Sequence, residues 1–189
     1  MKKLFLLIVF VVAFTLEAGY YGHTQIDTYD PATGLYYKAV VIQKESGGFL
    51  SSSKGSSDLI SNIAIFSPAK NSHSLLFKKD IKREINLFLF ETDFKEGSIY
   101  FNGEDHGYNA NIKNNQSIEE RKLRDKLLIG IRKEEKRLTE LWTAKKDGSE
   151  LQKLVEVSFD SSWHIDIKNS KLRIVTIKNG DFKIDSLDW

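Results

Sequence analysis

The chain has 189 residues and a nearly balanced charge, with 28 basic and 26 acidic side chains and no cysteine. A sequence without cysteine has no disulfide framework, no cysteine-ligated metal site and no cysteine nucleophile. The formal net charge of +2 is too small for a dedicated nucleic-acid binder, and the 41% hydrophobic content is too high for a disordered chain. The length suits one domain or two small ones.

The first eighteen residues have the layout of a secretory signal peptide. Two lysines are followed by the run Leu4–Leu16, which is apolar except for one threonine, and Ala18 is a small residue suited to cleavage. The run has 13 residues, whereas a helix that spans a membrane needs about 20. We therefore expect a cleaved leader over 1–18, a single β-rich domain over 19–189, and a periplasmic or secreted protein. The alternative is an uncleaved leader that holds the protein at the membrane.

Short runs of alternating apolar and polar residues, separated by turn residues, predict antiparallel strands in the rest of the chain. In the first run, Pro31 presets φ, Asp30 can accept hydrogen bonds from the backbone that follows it, and Gly34 tolerates a positive φ. Later runs contain Asp147-Gly148 and Asn179-Gly180, which predict type I′ turns. The four predicted hairpins lie at 28–37, 63–77, 141–151 and 172–184.

Two of these hairpins have the sequences NIAIFSPAKNSHSLLF and ELWTAKKDGSELQKLV. They resemble the outer hairpins of blades in the periplasmic TolB-type β-propellers, where an aromatic residue ends one strand, a D-G or P-x-x-G turn follows, and a leucine-bearing strand returns. The resemblance implies a partial or small propeller-like meander of about four blades. A two-sheet sandwich is the alternative. The expected fold class is all-β, mainly antiparallel, with one short helix.

The short helix is expected over 117–126, because Ser117 and Glu120 have the spacing of a capping box. Beyond it, Gly130 disfavours a longer helix by about 1 kcal/mol. The following residues therefore predict a hairpin whose turn is Glu134–Lys136.

Two polar segments, 46–57 and 103–117, are predicted to be mobile loops because they are rich in glycine with serine or asparagine. The second loop contains Glu104-Asp105-His106, whose two carboxylates and imidazole could bind a divalent cation. The spacing does not match a calcium loop. We interpret the cluster as an exposed polar loop and predict no metal and no cofactor.

A second polar pair lies on a predicted strand. Alternation places Trp163, Ile165 and Ile167 on one face and His164 and Asp166 on the other. The pair could act as an oriented general base. An ordinary strand with an apolar inner face explains the same residues, so we predict no catalytic residue.

Eight basic and five acidic residues lie between Glu119 and Arg137. Mixed signs are typical of a solvated face, and a basic excess can also attract an acidic protein. Tyrosines crowd the preceding part of the chain, and we interpret them as core or cross-strand residues, although tyrosine also favours binding hot spots. These tyrosines are Tyr20, Tyr21, Tyr29, Tyr36 and Tyr37.

Together these patterns predict an exported, non-enzymatic module that binds another protein, and an immunity or inhibitor protein against a secreted toxin is one hypothesis within that class. The alternative is a small periplasmic hydrolase or metal-dependent enzyme that uses the His106 cluster or the His164–Asp166 pair. Nucleic acid is not expected as a partner, and the sequence does not determine the oligomeric state. The predicted binding residues are Glu104, Asp105, His106, Tyr108, Arg121, Arg124, Arg132 and Lys133.

Overall fold

A computed structural model describes residues 26–42, 59–78, 83–102, 112–113, 117–178 and 180–189. These residues form thirteen strands and two short 3-10 turns, Pro68–Lys70 and Glu134–Lys136. The strands are β1 Asp27–Asp30, β2 Leu35–Ile42, β3 Leu59–Ser67, β4 Ser72–Leu75, β5 Ile85–Lys95, β6 Ser98–Phe101, β7 Ile112–Lys113, β8 Leu127–Lys133, β9 Leu138–Ala144, β10 Gln152–Ser158, β11 Ser162–Asp166, β12 Lys171–Lys178 and β13 Asp181–Asp188.

The strands form three sheets. The front sheet has the order β1-β2-β3-β4, the central sheet β10-β9-β8-β5-β6, and the back sheet β13-β12-β11-β7. Neighbouring strands are antiparallel except for β7 and β11, which are parallel. The expected all-β, mainly antiparallel class is confirmed. The described strands form layered open sheets, with no closed barrel or propeller ring among them.

The two inner strands β5 and β8 of the central sheet are buried on both faces along most of their length, which explains why INLFLF in β5 and LLIGI in β8 are almost continuously apolar. In β5, Phe88 and Phe90 pack into a core shared with the front sheet. The alternate residues Leu87 and Leu89 pack into a second core shared with the back sheet. Because side chains alternate along a strand, one strand contributes to both cores.

The predicted hairpin around Asp30 is confirmed. The Asp30 side chain accepts hydrogen bonds from the Ala32 N–H at 3.2 Å and from the Thr33 hydroxyl at 2.6 Å. Its carbonyl oxygen accepts the Gly34 N–H at 2.8 Å, and Gly34 has φ +74°. Local side-chain chemistry is therefore sufficient to form this turn.

The type I′ turn predicted for Asp147-Gly148 is wrong, although the β9–β10 hairpin is present. Gly148 has φ +85° but Asp147 does not have a positive φ, and Lys145 pairs with Ser149 across a three-residue loop. Positive φ at two successive residues occurs instead at Glu96-Gly97, between β5 and β6. The β12–β13 hairpin is also present, while Asn179 in its turn lies outside the described residues.

The hairpin around Glu134–Lys136 is confirmed as β8 and β9. The helix predicted over 117–126 is wrong, because that segment has no helical residues. Its backbone donors serve the central sheet instead. The Ile118 N–H donates to the Gly97 carbonyl at 2.9 Å, and the Arg124 N–H donates to the Glu91 carboxylate at 2.8 Å. These hydrogen bonds to the central sheet and its turn take the place of the bonds expected within a capping box.

Gly130 provides a test of the central sheet. A Cβ at this buried position of β8 would lie 2.8 Å from both Asn86 Oδ1 and Leu87 Cβ. We expect Gly130→Ala to lower the free energy of unfolding by about 1–3 kcal/mol, as overpacking does. Urea denaturation measures the change, with Ser74→Ala on the exposed strand β4 as the control. Equal stabilities for the two variants would contradict this packing.

Candidate functional site

Two of the predicted binding residues, Arg121 and Arg124, are directed inward onto the carboxylate of Glu91. Glu91 lies in β5 and is fully buried. The Arg121 guanidinium donates two hydrogen bonds to it, at 2.6 and 2.9 Å. The Arg124 N–H at 2.8 Å and the Trp189 indole N–H at 3.1 Å supply two more. Each oxygen of Glu91 thus accepts two hydrogen bonds, which suits a buried charge.

Lys146 forms a second buried ion pair close to the first. Its side chain is 2% exposed, and its ammonium lies 2.9 Å from the Asp30 carboxylate and donates to the Glu91 carbonyl oxygen at 2.7 Å. The Lys146 carbonyl accepts the Tyr37 hydroxyl at 3.0 Å, and burial, followed by the charge of Asp30, raises the pKa of that hydroxyl well above its ordinary value.

We call Asp30, Glu91, Arg121 and Lys146 the buried ion network. It connects the end of β1 in the front sheet, β5 of the central sheet and the 117–126 segment, and Trp189 joins it beside the back-sheet core. Each charged group has an opposite charge as its partner, and the Arg121 Nε, which has no hydrogen-bond partner among the described residues, is buried, so the network has little capacity left for a ligand. We interpret it as a structural element that fixes the relative positions of the layers.

The other two described binding candidates, Arg132 and Lys133, lie at the opposite end of β8 in a cleft of about 530 Å³. Arg132 donates to Glu134, and this hydrogen bond raises the pKa of the guanidinium. Lys133 has no ion pair within the described part of the chain. The cleft carries equal numbers of basic and acidic side chains, so it favours neither sign. Its lining residues are Ile42, Leu59, Arg83, Glu84, Arg132, Lys133, Glu134, Glu135, Lys136 and Glu140.

The His164–Asp166 pair lies on β11, and the predicted alternation of this strand is confirmed, with Ile165 and Ile167 buried. Arg173 donates a hydrogen bond from Nε to Asp166 Oδ2 at 2.9 Å, and its Nη2 forms an ion pair with the same oxygen at 2.8 Å. Desolvation acts to raise the pKa of Asp166, but hydrogen bonds from Asn169 and Arg173 outweigh it and hold the pKa below the ordinary value. This carboxylate is therefore engaged by its neighbours and poorly suited to assist His164.

The remaining predicted site residues, Glu104, Asp105, His106 and Tyr108, lie outside the described residues, as do the loop 46–57, Tyr20 and Tyr21. Among the side chains that are described, no group of three or more histidine, aspartate or glutamate residues is placed to hold a metal ion. The predicted residues accordingly divide into an inward-facing pair, a pair in the cleft, and a group whose placement is not described.

The front sheet carries a row of aromatic side chains that was not predicted from the sequence. Tyr29 pairs with Tyr36, Tyr36 with Phe66, and Phe66 with His73, so one residue from each of the four strands lies in register. The ring centroids are 4.7 Å apart for the first pair and 6.4 Å for the second. We call these four residues the aromatic row.

The aromatic row faces solvent. Tyr29 and Tyr36 are 47% and 49% exposed, whereas Tyr37, the next residue of β2, is buried in the core. The neighbouring positions on the same face include an exposed ion pair between Lys38 and Asp27. Neighbouring large aromatic side chains on a solvent-facing sheet are typical of an interaction surface. The sequence signal was the in-and-out alternation of Tyr36-Tyr37 and Ile65-Phe66, but joining the strands into a row required their register.

Comparison of the chain with protein families, curated proteins and solved structures found no match. The resemblance to TolB-type blades therefore stays a prediction. The residues of the leader lie outside the described part of the structure. Within the described part, no helix is long and apolar enough to cross a membrane.

Two adjacent lysines test the buried ion network. We expect Lys146→Met to lower the free energy of unfolding by about 3–5 kcal/mol, because it leaves the Asp30 carboxylate buried without its partner. Lys145→Met is the matched control, since the Lys145 side chain reaches solvent and its ion pair among the described residues is with exposed Glu150. Urea denaturation compares the two.

The double variant Asp30→Asn/Lys146→Met removes both charges and should recover part of the lost stability. Equal effects of Lys145→Met and Lys146→Met, or additive effects of the Asp30 and Lys146 substitutions, would contradict the pairing.

Proposed function

We propose that this protein is a non-enzymatic binding module that recognises another protein through the aromatic row of the front sheet. The observation that carries the proposal is the alignment of Tyr29, Tyr36, Phe66 and His73 on one exposed face. Tyrosine is enriched among the residues that dominate binding energy at protein interfaces. Its ring provides a large apolar area, and its hydroxyl can form a hydrogen bond with the partner.

The scaffold behind the row supports the same proposal. Tyr37 follows Tyr36 in β2 on the inner face, packs against Phe88 at 5.1 Å and Phe90 at 5.0 Å between ring centroids, and donates to the Lys146 carbonyl. The exposed rings therefore stand on strands whose inner side chains are fixed in a dense core. A surface that is already ordered loses less conformational entropy when it binds.

The charges around the row indicate the kind of partner. The nearest ion pair, Lys38 with Asp27, is neutral overall and largely accessible, so the surface has no strong preference for an acidic or a basic protein. We infer that the partner contributes apolar side chains at the centre of the contact and polar groups at its rim. An inhibitor of a secreted toxin is one case of this proposal.

Arg132 and Lys133 are a separate candidate contact. They lie in the cleft near Ile42 at the far end of β2, six residues and about 20 Å of extended strand from Tyr36. A partner that covers the aromatic row does not need to reach them. Their role in binding stays a prediction that charge-reversal variants can test apart from the row.

Capture of a partner from an extract of the cells that produce the protein tests the proposal. We expect the immobilised wild-type protein to retain one partner at a one-to-one ratio. The Tyr36→Ser/Phe66→Ser variant should bind that purified partner at least about tenfold more weakly, as loss of a hot spot does. Calorimetric titration measures both affinities.

Val41→Ser is the matched control, because Val41 is 48% exposed on the same strand as Tyr36 but lies outside the aromatic row. Circular dichroism checks that all variants fold. If the double variant keeps the wild-type affinity, or if Val41→Ser loses as much, the row is not the binding surface. If no stoichiometric partner is retained, the proposed function is wrong.

A further inference from the structure

The hairpin β12–β13 carries a second exposed apolar surface, on the back sheet. Ile177 pairs with Phe182 and Val175 pairs with Ile184, so these four residues share one face. Ile177 and Phe182 are 64% and 65% exposed, the highest values among the large hydrophobic residues of the described chain, and Ile184 is 46% exposed. This surface lies on the back sheet and is separate from the aromatic row of the front sheet.

Among the residues that the structure describes, none pairs with the outer side of the β13 backbone. β13 is an edge strand of the back sheet, with β12 as its neighbour. Between Asp181 and Leu187, no described residue outside β12 forms a hydrogen bond with its backbone. Such an edge can pair with a strand from another chain. We propose that two copies of this chain associate by pairing their β13 strands in antiparallel fashion, about a two-fold axis that passes midway between the two Ile184 residues.

The charges along β13 favour this register over the two registers shifted by one residue. A two-fold axis perpendicular to the sheet leaves each residue on the same face in both copies. Residues directly opposite each other in antiparallel strands point to the same face, so the axis must lie between two copies of the same residue. With the axis at Ile184, Lys183 of each copy lies opposite Asp185 of the other. With the axis at Lys183 or Asp185, like charges lie directly opposite each other, which is destabilising.

Edge lysines commonly prevent such pairing because they bring unpaired charge against the second strand. Here Lys183 already pairs with Asp185 of its own chain at 2.9 Å. In the proposed dimer each lysine keeps an aspartate neighbour and gains a second one. The charges therefore match the pairing instead of opposing it.

The apolar residues match the same register. Ile184 of each copy lies opposite Ile184 of the other, and Val175 lies behind it on β12. The dimer therefore has a continuous apolar row across four strands, from Val175 of one copy through both Ile184 residues to Val175 of the other. Each Ile184 side chain gains the other as a neighbour and loses part of its contact with water, which favours association.

Sedimentation equilibrium over a range of concentrations tests the proposal. We expect the wild-type chain to show a monomer–dimer equilibrium, and Lys183→Glu and Asp185→Lys each to weaken dimerisation at least about tenfold. In each single variant, position 183 of either chain carries a charge of the same sign as position 185 of the other chain. Lys38→Glu is the matched control, because the Lys38 side chain is as exposed as that of Lys183 and also forms an ion pair, but on the front sheet, and it should leave dimerisation unchanged.

Sedimentation equilibrium of the two single variants mixed together tests the proposed register most directly. The glutamate introduced at position 183 of one chain then faces the lysine introduced at position 185 of the other. On the other side of the two-fold axis, the unchanged Asp185 of the first chain faces the unchanged Lys183 of the second. Opposite charges thus meet at both pairs, so a heterodimer should form where each variant alone is monomeric.

Three results would each overturn the proposal: a wild-type chain that stays monomeric up to its solubility limit, a dimer that Lys183→Glu does not weaken, or a mixture of the two variants that stays monomeric. None of these outcomes bears on the aromatic row, which lies on the front sheet.

Discussion

The carboxylate of Glu91 and the ammonium of Lys146 are two buried charges on which the arrangement of the layers depends. Each costs several kcal/mol to remove from water, so each is stable only where its partners are in place. The partners come from distant parts of the chain: Asp30 from the front sheet, Arg121 from the segment before β8, and Trp189 beside the back-sheet core. Misplacing the front sheet therefore leaves Lys146 without its carboxylate partner, and misplacing Trp189 removes one of the four hydrogen bonds to Glu91.

This constraint also explains how the proposed binding surface is held. Asp30 both closes the turn after β1 and pairs with Lys146, so the turn that sets the β1–β2 register is attached to the central sheet. That register brings Tyr29 beside Tyr36. The exposed aromatic row is thus positioned by a buried ion pair on the other side of the same strands. The proposed pairing surface of β13 lies on the back sheet and depends on this constraint less directly.

The sequence predicted the features that local chemistry determines. The turn at Asp30 follows from the aspartate, proline and glycine in that stretch, and the β8–β9 hairpin follows from Gly130 and the strand pattern around it. The 117–126 segment was predicted wrongly, because a capping box predicts a helix only when no stronger partner competes, and here Glu91 binds Arg121 and the Arg124 N–H.

The burial of Lys146 could not be predicted, because in the sequence it resembles an ordinary turn lysine beside Asp147-Gly148. Its burial depends on Asp30, more than a hundred residues away, and no local pattern contains that information. The aromatic row was missed for the same reason, since alternation assigns faces within a strand but the register between strands assigns neighbours.

Hydrogen exchange of the native protein compared with Glu91→Gln tests the central claim most directly. Glutamine keeps the size of the side chain but removes the charge that Arg121 binds. If the buried ion network fixes the layers together, backbone amides of β2 in the front sheet and β12 in the back sheet lose protection together with those of β5. If protection falls only in the segment 117–126 while β2 and β12 keep the wild-type exchange rates, the layers are held by their apolar cores alone and the account is contradicted.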